Sequence, residues 1–112
     1  MRSATRKHLS VIEGRAQFAV VTVVELPESD AKGVFARPVL ILNDREMQNA
    51  SADYDKLIEA AISGLKETEK RLEWRGLPLR VTRVESSYVD AHPDAVRKAA
   101  IDAAVALIRG EQ

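Results

Sequence analysis

Hydrophobic and polar positions alternate along the first part of this chain with the period of a strand. From Arg6 to Ile12 the alternation is loose, with Leu9 and Val11 on one face and His8 and Ser10 on the other, up to a stop at Gly14. After Gly14-Arg15-Ala16, the run from Phe18 to Leu26 is rich in β-branched residues on both faces, which predicts a central, well-covered strand ended by Pro27. A polar, turn-rich stretch from Glu28 to Gly33 follows. Pro38 lacks a ladder donor and belongs at a strand start or on an edge, so Val39 to Leu42 makes a third strand, ended by Asn43-Asp44.

The period then lengthens. Between Ser51 and Arg75 the residues Tyr54, Leu57, Ile58, Ala61, Ile62, Leu65 and Leu72 recur every three or four positions, which lays them along one side of a helix. Ser51 can cap it, Asp53 and Asp55 suit its first turn, Lys70, Arg71 and Arg75 suit its last, and Gly76 and Pro78 stop it. Leu79 to Val84 reads as a fourth strand. Val96, Ala99, Ala100, Ala103, Ala104 and Leu107 form an Ala-rich stripe on a second helix, entered through Pro93 and closed by Gly110. The order βββαβα predicts an α/β (α+β) two-layer sandwich. In it a four-stranded mixed sheet carries both helices on one face, with Leu57, Ile58, Ile62, Leu65, Ala100 and Leu107 directed inward, and its other face is partly exposed.

Length and charge narrow what such a domain does. At 112 residues the chain can bury roughly 65% of its unfolded surface, enough for one core, so residues 1–112 are expected to form a single domain. With no cysteine and two isolated histidines, a Cys-rich zinc module, a thiol nucleophile and a disulfide-stapled secreted scaffold are all excluded, and the expected compartment is cytoplasmic. The apolar run from Phe18 to Val24 is too short for a membrane helix, and the basic N-terminal residues lead into no apolar signal core. Seventeen Lys and Arg balance seventeen Asp and Glu, so any nucleic-acid contact must be local.

Candidate chemistry is sparse. The five glycines are scattered, which leaves neither a dinucleotide turn nor a phosphate-binding loop, and no nucleotide is expected to bind. Neither histidine has acidic residues at ligand spacing; His8 reads as a strand-surface residue, His92 as the flank of the second helix, and no metal or other cofactor is expected. Carboxylate pairs such as Glu67 and Glu69 do not share a helix face, and no serine sits in a nucleophile elbow, so the chain reads as a non-enzyme. Among the five aromatics, Phe18, Phe35 and Tyr54 are expected in the core, and Trp74 over the end of the first helix. Tyr88, in the polar loop Glu85-Ser-Ser-Tyr-Val-Asp90, either binds a partner or covers the end of the sheet.

Four short motifs, in order and on matching elements, give the chain a family likeness. Gly14-Arg15-Ala16-Gln17-Phe18-Ala19 enters the second strand, Gly76-Leu77-Pro78 precedes the fourth, Val81-Thr82 lies within it, and Glu85-Ser86-Ser87-Tyr88-Val89-Asp90 follows it. Over nearly its whole length the chain thereby resembles domain IV of elongation factor G, the ribosomal translocase, and of its tetracycline-resistance relatives. That resemblance implies a left-handed strand–helix–strand crossover, against the general preference. It also implies a tip, formed by the two loops, that contacts the ribosome or structured RNA through Arg15, Gln17, Tyr88 and Asp90. Ala16 and Ala19 stand where the family has glycine, and Val89 where it has histidine. The other expectation, of a different class, is a protein-interaction or structural module that keeps the fold without RNA binding, with a homodimer through the third strand or the exposed sheet face.

Overall fold

A computed structural model describes residues 2–26, 37–47, 52–87 and 91–110. The expected Phe35 in the core, Ser51 cap, Tyr88 and Asp90 fall outside these residues. Five strands and two helices form an α+β fold: β1 (Ser3–Ile12), β2 (Arg15–Glu25), β3 (Val39–Leu42), β4 (Arg45–Glu46), α1 (Ala52–Arg71), β5 (Leu79–Ser86) and α2 (Pro93–Ile108). The sheet is mixed, in the order β1-β2-β5-β3-β4; β3 and β5 run parallel and the other neighbours antiparallel.

The expected count of four strands is therefore one short. Asn43 and Asp44 do not simply end the third strand; both take left-handed backbone (φ 51° and 63°), which closes a two-residue hairpin and returns the chain as β4. Nothing in a two-residue strand offers alternation to read. The first helix also stops earlier than Arg75. Glu73 adopts φ 50°, the Glu73 N–H donates to the Lys70 carbonyl and the Trp74 N–H to the Glu69 carbonyl, a left-handed cap that ends α1 at Arg71 without glycine. Trp74 packs over this end as expected: its Nε1–H donates to the Leu77 carbonyl at 2.8 Å, and its ring lies so close to Gly76 that a Cβ there would stand 2.2 Å from it.

Both helices cover one face of the sheet. Ala4 of β1, Ala19, Val21 and Val23 of β2, Val81 and Val84 of β5, and Leu40 and Leu42 of β3 point into one core with Tyr54, Leu57, Ile58 and Leu65 of α1 and the alanine stripe of α2. Val81 and Val84 can both point inward because the β2–β5 register shifts between Thr22 and Val23, a bulge that absorbs Thr82. Ile62, expected inward, is half-buried at the edge of this core. The Tyr54 hydroxyl donates to the Pro38 carbonyl at 2.5 Å, which satisfies the polar end of a fully buried ring. Glu67 ties the two helices together, accepting from Arg71 at 2.8 Å and from Arg97 at 2.7 Å.

Candidate binding surface at the hairpin end of the sheet

A tight turn builds this surface. Glu13 (φ 52°) and Gly14 (φ 77°) form a two-residue connection between Ile12 and Arg15, and the flanking pairs Val11–Ala16, Ser10–Gln17 and Leu9–Phe18 continue it as a hairpin. The ladder from β2 to β5 begins only at Val20–Glu85, so the outer part of the hairpin runs on past the end of β5. Ser86 marks that end: its hydroxyl donates to the Phe18 carbonyl at 2.7 Å. From there the chain leaves through Ser87, whose carbonyl accepts from the Ala91 N–H at 2.8 Å, into α2.

Of the four residues expected at the tip, Arg15 and Gln17 are therefore described, and Tyr88 and Asp90 are not. Arg15 is exposed at the start of β2 and makes no ion pair with another described residue. Gln17, two residues on, is half-buried. At the same end His92 caps α2, its Nδ1 accepting from the Asp94 N–H at 3.1 Å, the helix-flank role expected of it. Asp94 in that first turn is held below the usual carboxylate range, chiefly by its hydrogen bond from Lys98 and also by Arg97.

The phase of β1 runs opposite to ordinary amphipathic logic. Ala4 faces the helices, so Arg6, His8 and Ser10 share the covered face, and Leu9 and Val11 fall on the open one. His8 is accordingly a half-buried residue whose Nε2 is out of solvent with no hydrogen-bond partner among the described residues, rather than a strand-surface residue. Phe18, expected in the core, lies on the open face beside Leu9, with the Lys7 ammonium 5.3 Å from its ring centroid. The cause is β2, where the apolar run on both faces gives no phase, and register with β1 decides which residues turn inward.

Leu9, Val11 and Ile12 remain 60%, 69% and 46% exposed, a concentration of large apolar side chains at one end of the sheet. The hydrophobic pattern alone does not reveal Lys7, Leu9, Val11, Ile12 and Phe18 as surface residues of this end. The shared parity of Thr5, Lys7, Leu9 and Val11, with Ala4 opposite to them, was the available signal.

Elsewhere, a groove of about 390 Å³ between α1 and β5 is lined by Ile62, Leu65, Glu69 and Leu79, and its burial pushes the Glu69 carboxyl up, with Lys66 opposing. Leu26 and Pro38, which border residues 27–36, form part of its wall. Among the described residues no cluster of acidic or histidine side chains could hold a metal ion, and no helix is long and apolar enough to cross a membrane. No protein-family model matches the chain, and no curated protein matches it.

Proposed function

We propose that this chain is a non-enzymatic, cytoplasmic binding module that contacts the ribosome or structured RNA through the hairpin end of its sheet, in the manner of domain IV of elongation factor G. The observation that carries the reading is the position of Arg15: exposed at the tip of a hairpin that projects past β5, on the side where the chain leaves β5 for Tyr88. A guanidinium so placed can fork onto phosphate oxygens, Gln17 can add a hydrogen bond, and Tyr88 can stack on a base. Strand order supports the reading in that the parallel β3–β5 pair joined through α1 is a strand–helix–strand crossover, the kind of connection the resemblance implies. The left-handed sense of that crossover belongs to the proposal. No nucleotide, metal or other cofactor takes part in it.

A protein partner is the second reading, favoured by the exposure of Leu9, Val11 and Ile12, since a strong RNA surface carries clustered cations rather than aliphatic side chains. Titration against small ribosomal subunits and a structured RNA, at low and at physiological salt, separates the two. Binding at low salt that weakens as salt rises supports the RNA reading, and no binding even at low salt overturns it.

A further inference from the structure

The outer edge of β1 is unpaired among the described residues, because β1 ends the strand order. Which of its backbone groups face that edge follows from the ladder. The Glu25 N–H donates to the Arg2 carbonyl at 2.8 Å, and Ile12 and Arg15 close the two-residue turn, so the even-numbered residues of β1 direct their hydrogen-bonding groups to β2. Thr5, Lys7, Leu9 and Val11 therefore present theirs outward. Edge strands of this length, ten residues, are ordinarily protected by charge. Here Arg6 and Lys7 protect the inner half, whereas Leu9 to Ile12 carry no charge at all.

The sequence around Ser10 is complementary to itself when reversed. Reading outward from Ser10 in both directions gives Leu9 and Val11, then His8 and Ile12, then Lys7 and Glu13. We propose that a second copy of this chain pairs antiparallel with the outer half of β1 about a two-fold axis at Ser10, extending the two sheets into one. A two-fold axis normal to the sheet keeps each residue on its own face, so residues of equal parity stand opposite one another. Leu9 of each copy then exchanges two backbone hydrogen bonds with Val11 of the partner subunit, and the two side chains meet on the open face beside Phe18. Lys7 then lies toward the turn that carries Glu13 of the partner subunit, one residue beyond the end of its strand, twice per dimer. A pairing about His8 instead would bring Lys7 and Arg6 of both copies close to the axis, with no acid opposite them. This half is accessible in the single chain, as the exposure of Leu9, Val11 and Ile12 shows.

This inference goes beyond the RNA reading and needs no RNA, so the two can fail separately. Because the chain has no cysteine, a single introduced thiol reports register directly. Ser10 falls on a non-hydrogen-bonded pair at the axis, where Cα atoms stand about 4.5 Å apart, within disulfide range. Ser10→Cys is expected to form a disulfide-linked dimer with oxidised glutathione, whereas Thr5→Cys, on the inner half of the same strand, is expected to stay uncrosslinked. In sedimentation, the unmodified protein is expected to run as a dimer of the 12.4 kDa chain. Leu9→Pro removes an edge donor that β2 does not use and is expected to give a folded monomer. Lys7→Glu is expected to weaken the dimer about tenfold, and Lys7→Glu with Glu13→Lys to restore it. A protein that sediments as a monomer at hundreds of micromolar, or a dimer that crosslinks equally at Thr5→Cys, overturns the proposal.

Discussion

Gly64 shows how much one missing side chain decides. It lies where α1 and α2 touch, and a Cβ there would stand 2.5 Å from the Arg97 carbonyl oxygen and 3.2 Å from the Ala100 Cβ. In an isolated helix, Gly→Ala gains about 1 kcal/mol. Against a fixed neighbouring backbone the added methyl forces the helices apart, at about 1–3 kcal/mol. Gly64→Ala is accordingly predicted to lower the urea midpoint, and a raised midpoint would mean the helices do not meet there. Glu69 gives a pH signature. Its folded carboxyl holds its proton more tightly than the unfolded one, chiefly because it is partly buried. The stability linked to it is thus complete below the ordinary glutamate range and declines as pH rises through the folded value. Glu69→Gln is predicted to raise the thermal midpoint at pH 7 relative to the native protein and to leave it unchanged at pH 3; an equal shift at both pH values would assign the effect to packing. Neither role was legible beforehand, because a glycine and a glutamate on a helix look alike whether they face a second helix, a groove or water.

At the scale of elements, periodicity was enough wherever one face alone is apolar. The stripe Tyr54, Leu57, Ile58, Ala61 and Leu65 predicted α1, and all five are buried. Leu65→Ala is predicted to cost about 2–5 kcal/mol, read as a fall in unfolding midpoint, and an unchanged midpoint would mean this face is not in the core. Reading failed where the pattern carries no phase. The first strand extends to Ser3, and its phase follows Ala4, a residue too small to announce itself. The second strand is apolar on both faces, so its pattern leaves the side of Phe18 open, and only the ladder with β1 settles it. The hairpin β3–β4 rests on the left-handed Asn43-Asp44 turn, which sequence marks as an end and the fold uses as a reversal.

For the whole molecule, the consequence is a sheet with two unlike faces and a hairpin that projects at one end. Both helices cover one face; the other carries Leu9, Val11, Phe18 and Val20, with Lys7 beside them, and the hairpin runs on beyond β5. The balanced charge of the chain gives this end no long-range basic field, so any RNA contact must be short-ranged and sensitive to single residues. The most direct test is a salt-dependent titration of the native protein, Arg15→Ala and Tyr88→Ala against small ribosomal subunits. The account predicts binding at low salt for the native protein. Arg15→Ala should bind more weakly and with a shallower salt slope, and Tyr88→Ala should lose about 1–3 kcal/mol of affinity with the slope kept. Binding that neither substitution changes, or no binding at low salt, would contradict it.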